Sequence, residues 1–203
     1  MFKKYGRYSQ LHPNTNLRII ALNPFTYNAL NTYIWDNNTD PQDDFAWLMS
    51  TLQFAEDHNE NVIILGHIAP TIFDTERNWN ILYNALIDRY TNIIKLQLFG
   101  HSHADNMQTI RAIKNKNEIV GVTFLIPQLG VLPSENPSFR VFDLDGKNYD
   151  LTDYHQYRLY LQEAKYMNAP YWRLAYKFTD LYNISDCSYR NIGAAIEKIK
   201  VSE

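Results

Sequence analysis

Three short apolar runs limit the architectures open to this chain. Leu17-Arg18-Ile19-Ile20-Ala21-Leu22, residues 61–66 (Asn-Val-Ile-Ile-Leu-Gly) and residues 93–99 each have the length of one buried strand, and helical patterns separate them. Asp40-Pro41-Gln42-Asp43 supplies an N-cap, a proline for the first helical position and acids for the first turn. Phe45, Leu48, Met49, Leu52 and Ala55 then recur at helical spacing, which predicts a helix to about His58. A second helix is expected over residues 80–90, with Ile81, Leu82, Ala85 and Leu86 inward. The order β-α-β-α-β implies a largely parallel sheet covered by helices, and in such sheets the reactive loops leave the C-terminal ends of the strands.

Two of those ends carry histidine. Gly66-His67-Ile68-Ala69-Pro70 follows the second strand directly, and Gly100-His101-Ser102-His103 follows the third. Each glycine lets the chain turn sharply, and in an extended segment residues i and i+2 project to one side, so His101 and His103 are expected to face one ion cluster. Imidazole is a favoured ligand for zinc and its neighbours. Either motif alone is compatible with an ordinary loop histidine; two Gly-His turns on adjacent strand ends point to metal. Three histidines would serve one zinc, and nothing nearby supplies the carboxylate that bridges two ions.

Past residue 110 the pattern changes. Residues 120–126 and 139–144 read as strands of a second sheet, joined by a loop rich in Pro, Ser and Asn. From Tyr154 onward the aromatics are dense and the spacing reads as helical, through Tyr157, Tyr160 and Leu161 and then Tyr171, Trp172, Tyr176 and Phe178.

An ordered set of segments resembles the calcineurin-like metallophosphoesterases, within them the acid sphingomyelinase-like phosphodiesterases. It runs from residues 17–23 through Thr39-Asp40-Pro41, Phe45-Ala46-Trp47-Leu48, the two Gly-His turns, Asn136-Pro137-Ser138-Phe139-Arg140-Val141-Phe142 and Asp153-Tyr154 to Trp172. The resemblance implies an α/β metallophosphoesterase-type sandwich of two sheets flanked by helices, present as its second half (residues 1–153). A short helical C-terminal subdomain (154–203) would follow. It further implies His67 and His101 as ligands of one metal and His103 as a ligand of the other, both ions zinc, and hydrolysis of a phosphodiester that is a lipid headgroup or nucleotide-type molecule. Secretion or a lysosomal location is the family expectation.

The departures are as informative. The family's Asp-x-His, Gly-Asp and Asn-His motifs do not occur in residues 1–66, and its general-acid histidine lies upstream of any residue here, so no catalytic residue is assigned. The alternative is a non-catalytic metal-binding or interaction protein derived from that fold. Ala69-Pro70-Thr71 replaces the family's second proline and glycine. Tyr27 and Asn28 lie where the family approaches substrate, although packing is the commoner role for a loop tyrosine; Asp105 is a candidate to hold an imidazole. Arg140 could meet a phosphate, but a structural ion pair is its more ordinary role.

Composition narrows the partners. Of 203 residues 45% are hydrophobic, enough to bury a core, and a net charge of −3 without a basic stripe argues against nucleic acid. No apolar stretch reaches the roughly 20 residues of a membrane span. Residues 1–7 do not read as a secretion signal. A single Cys187 cannot form an internal disulfide, while the sequons at Asn37 and Asn183 are usable only in a secretory pathway.

Overall fold

The structure, a computed structural model, describes residues 2–36, 39–70, 74–131 and 136–201; the sequon asparagine Asn37 and Thr71 lie outside them. Two compact units account for the chain, Met1–His101 with Met107–Leu125 and Ser102–Asn106 with Ile126–Glu203.

The first unit carries a six-stranded sheet in the order β1-β2-β3-β4-β6-β5. Its strands are β1 (Tyr8–Leu11), β2 (Leu17–Ala21), β3 (Asn61–Leu65), β4 (Ile94–Phe99), β5 (Asn106–Arg111) and β6 (Ile119–Leu125). The three apolar runs became β2, β3 and β4, which pair parallel in that order, with β6 parallel beyond them. Val62, Ile64, Ile20 and Ile94 are fully or almost fully enclosed, as expected for strands covered on both faces. β1 adds an antiparallel edge through Tyr8↔Ala21 to Leu11↔Arg18. Its sequence, Tyr-Ser-Gln-Leu, is mostly exposed and gave no apolar signal.

Helix α1 (Phe2–Tyr5) is a single turn; α2 (Asp44–Asp57) and α3 (Arg77–Arg89) are the covering helices. Asp40 does cap α2, its carboxylate accepting the Phe45 and Ala46 amides at 2.7 and 3.0 Å. Leu48, Leu52 and Ala55 face the core, whereas Met49 lies outside. In α3 the inward stripe is Trp79, Tyr83, Leu86 and Ile87, and Ile81 and Leu82 are exposed. The larger aromatic faces took the core because they bury more area per residue. Trp79 stacks on Tyr27 at 4.2 Å and on Tyr83 at 5.4 Å between ring centres.

The second unit holds a three-stranded antiparallel sheet, β7 (Ser138–Leu144), β8 (Leu151–Leu159) and β9 (Trp172–Lys177), in that order. Helices α4 (Leu161–Met167), α5 (Phe178–Tyr182) and α6 (Tyr189–Val201) belong to the same unit. The helical reading of residues 154–203 therefore holds for α4, α5 and α6 and fails at 154–159 and 172–177. Those segments are rich in tyrosine and tryptophan, which pair across strands as readily as they line a helix. A boundary at 153/154 falls inside β8. Tyr154 stacks on Phe178 at 4.6 Å. Burial raises the Cys187 thiol to about 12, so it behaves as a small apolar residue; Asn183, at the left-handed end of α5, is exposed.

One buried ion pair fixes the start of α2. Asp44, fully enclosed, accepts from Arg7 Nη1 at 2.6 Å and from the Thr26 hydroxyl at 2.7 Å, so three separate segments meet at one carboxylate. Burial pushes the Asp44 carboxyl above its ordinary range while the two hydrogen bonds pull it down. Replacing one partner strands a charge in the interior, which costs about 3–5 kcal/mol. Asp44→Ala is expected to lose that much in urea unfolding, and the double change Arg7→Met/Asp44→Leu to recover most of it. A loss below about 1 kcal/mol in the single variant would show that the pair is dispensable.

Candidate metal centre

Adjacent, parallel strand ends bring two histidines of the first unit together. Leu65 pairs with Leu98, the Gly66 amide donates to the Leu98 carbonyl at 3.1 Å, and the Gly100 amide donates to the His67 carbonyl at 2.9 Å. This backbone ladder sets the two side chains at a common height. The imidazoles meet edge to face, ring centres 5.3 Å apart, with His101 Nδ1 and His67 Nε2 separated by 3.4 Å. On its other side, His101 Nε2 lies 2.8 Å from Asp74 Oδ2.

A separation of 3.4 Å is long beside the roughly 2.7–3.2 Å of an N–H···O hydrogen bond. Two nitrogens bound to one tetrahedral zinc at about 2.0–2.1 Å stand about 3.3–3.4 Å apart. The pair thus fits two ligands of one ion. Asp74 fits the carboxylate that takes the second imidazole proton and leaves Nδ1 with its lone pair. Two nitrogens are not a full set. Among the described residues no three His, Cys, Asp or Glu side chains converge as a metal site.

The glycines act differently from expectation. Neither Gly66 nor Gly100 has positive φ; the left-handed residues are His101, at φ 70°, and His103, at φ 60°. The turn is therefore made by the histidines, and His101 and His103 are not an extended i, i+2 pair. Gly66 is required for close packing, since a Cβ there would sit 2.5 Å from a ring carbon of Phe99. At Gly100 the nearest atom, His67 Nδ1, would be 3.7 Å from an added Cβ, an ordinary contact.

His103 belongs to the second unit, where it is exposed and its carbonyl accepts the Gln128 amide at 3.4 Å. Asp105 holds no imidazole: its two oxygens accept from Arg140 and from the Tyr176 hydroxyl. The carboxylate in that role is Asp74, which sequence reasoning missed. Its only signal is an acid seven residues after His67, in the loop that precedes the α3 cap Glu76.

Tyr27 is a core residue and presents no surface to a substrate. It is fully buried, its hydroxyl donates to the Ile68 carbonyl at 3.0 Å, and desolvation raises its pKa. It thereby supports the His67 turn from below. Asn28 is half-buried; its side chain accepts the Leu30 amide at 2.9 Å and its backbone bridges Thr75, which ties the loop after β2 to the Asp74 segment. Arg140 makes a structural ion pair, the plainer of its two expected roles.

Comparison with known proteins bears on family and fold. Residues 118–201 match the family model described as the acid sphingomyelin phosphodiesterase C-terminal region. Sphingomyelin phosphodiesterase B of Dictyostelium discoideum is 31% identical over 98% of this chain and 32% of its own length. A human cyclic GMP-AMP phosphodiesterase is 35% identical over 91% of this chain and 43% of its own length. The chain thus spans less than half of either relative. Among solved structures, a dimetal phosphatase from Danio rerio superposes with a TM-score of 0.52 at 13% identity, covering 76% of this chain and 57% of its own. At that identity the likeness speaks for the fold, which is of the metallophosphoesterase type.

The Gly66–Phe99 contact generates a prediction. Gly66→Ala overpacks a site with no slack and is expected to destabilise by about 1–3 kcal/mol. Adding Phe99→Leu should return more than half of that loss in thermal melting; no rescue would mean that the glycine serves another purpose.

Proposed function

The chain belongs to the acid sphingomyelinase-like branch of the calcineurin-like metallophosphoesterases, and from that membership we propose that it contributes the histidine half of a two-zinc centre for phosphodiester hydrolysis. The observation that carries the reading is the 3.4 Å separation of His67 Nε2 and His101 Nδ1, with Asp74 engaged on the far nitrogen of His101. His67 and His101 hold one ion and His103 binds the other. When bound, the ions supply Lewis-acid activation of water and neutralise charge at the phosphoryl group.

The residues in hand orient and hold. Asp74 fixes the His101 ring and its tautomer. The His67 carbonyl, by accepting the Gly100 amide, locks the two turns together. The bridging aspartate corresponds to the family's Gly-Asp motif, absent from residues 1–66, and the leaving-group acid to a histidine of the family's first half. They come from a polypeptide that carries those residues, joined to this one or separate. The substrate is a phosphodiester of the lipid-headgroup or nucleotide type, since the relatives act on sphingomyelin and on cyclic GMP-AMP. Secretion or a lysosomal compartment follows from the same kinship. A second reading is a non-catalytic metal-binding or interaction protein derived from that fold, which would keep the His67–His101 pair without the bridging aspartate.

Zinc binding and turnover separate the two readings. The purified chain is expected to bind zinc in competition with a chromogenic chelator, with affinity at least tenfold weaker in His67→Ala and in His101→Ala. On bis(p-nitrophenyl) phosphate with added zinc it should turn over at under about 1% of a full-length relative's rate. The rate should rise when a polypeptide carrying the Asp-x-His, Gly-Asp and Asn-His motifs is supplied. Zinc affinity that both substitutions leave unchanged would overturn the proposal, and histidine-dependent binding with no turnover in any combination would establish the second reading.

A further inference from the structure

The second unit encloses an arginine that the proposed centre does not use directly. Arg140 sits in β7, and only 1% of its side chain is exposed. Its Nε donates to Gln156 Oε1 at 2.8 Å, its Nη2 pairs with Asp105 Oδ1, and its guanidinium lies 4.2 Å from the centre of the Tyr154 ring. Nη1 has no hydrogen-bond partner among the described residues. An ionised guanidinium stripped of water in this way is tolerated only with a partner of opposite charge, and Asp105 is that partner.

The strand register explains how the carboxylate is held. Arg140 pairs with Gln156 on β8, and Gln156 pairs with Tyr176 on β9, so the three side chains stand in one row across the sheet. Arginine and tyrosine, the two ends of the row, converge on one group outside the sheet: the Tyr176 hydroxyl donates to Asp105 Oδ2 at 2.6 Å while Arg140 takes Oδ1. Burial raises the Tyr176 pKa, which keeps its proton in place for that bond.

Asp105 is two residues beyond His103, whose backbone is left-handed at φ 60°. That conformation costs free energy for a residue with a Cβ and persists only where its surroundings impose it. Two sets of bonds in the same unit impose it. On one side the His103 carbonyl accepts the Gln128 amide, and the Gln128 carbonyl accepts the Ser138 amide at 2.8 Å, which leads to the start of β7. On the other side stands the Asp105 carboxylate, gripped by β7 and β9.

We infer that Arg140 is a positioning residue: with Tyr176 it clamps Asp105 and so holds the turn Ser102–Asn106, and His103 within it, in a single backbone conformation. The inference rests on the reading of His103 as a ligand, yet the clamp can be tested without metal. In the metal-free protein, backbone order parameters of the His103 and Ala104 amides should be near about 0.85 and fall below about 0.6 in Asp105→Asn and in Arg140→Lys. The amides of β3 should not change. Tyr176→Phe, which removes one hydroxyl and leaves the buried charge pair intact, should give a smaller fall in the same two amides.

With zinc, Asp105→Asn and Arg140→Lys should each weaken the His103-dependent part of the affinity by about 10- to 100-fold, and the double variant no further than the weaker single, because the two residues act as one unit. Unchanged order parameters at His103 and Ala104 in well-folded Asp105→Asn and Tyr176→Phe would overturn the clamp. If His103→Ala leaves zinc affinity at its original value, the ligand reading of His103 fails, and the metal-free measurement still decides the clamp.

Discussion

The pairing of β3 with β4 is the constraint from which the candidate centre follows. Two parallel strands side by side end at the same level, so whatever follows them is brought together without further design. Here each is followed by Gly-His, and the bonds from Gly66 to Leu98 and from Gly100 to His67 carry the register one step beyond the strands. The contact between the imidazoles is thus a product of the sheet. Phe99 lies at the end of β4, directly against Gly66, so even the packing that limits residue 66 to glycine comes from the same pair of strands.

Below the turns, aromatic packing makes that height rigid. Tyr27 stacks on Trp79, Trp79 on Tyr83, and Tyr27 reaches up to the Ile68 carbonyl. The Tyr83 hydroxyl in turn donates to the Gln97 side chain at 2.7 Å, which gives the buried amide of β4 a partner. The two tyrosine hydroxyls each end on a buried acceptor, and the rings supply area. Trp79 and Tyr83 therefore take the inner face of α3 beside Leu86 and Ile87, while Ile81 and Leu82 stay exposed.

The parallel core was legible in the sequence because buried parallel strands read as near-continuous apolar runs, and β2, β3 and β4 are such runs, each of one strand's length. The Gly-His turns were legible because they abut those runs. Three things were not. β1 and β5 are edge strands with mixed composition, so pattern alone does not raise them above loop. β8 and β9 alternate aromatic residues with polar ones that also sit three or four apart, and spacing fits either period. Asp74 is distant from His101 in sequence and near it only because the loop after β3 returns past the end of β4; no local pattern records that.

The same difference separates the two carboxylates near histidines. Asp105 was the natural candidate for holding an imidazole because it is close in sequence, and it turned out to be committed to an arginine and a tyrosine across a sheet. Asp74 was unremarkable in sequence and lies on His101. Nearness along a chain selects partners only within one turn or one strand; beyond that, register decides. A carboxylate bound directly to an imidazole sets which nitrogen carries its lone pair, whereas one bound to a buried guanidinium sets the backbone of the turn it belongs to. The first acts on the chemistry of the ligand and the second on its placement. Each histidine has a left-handed backbone, and each is steadied within its own unit, His101 through its ring and His103 through its turn.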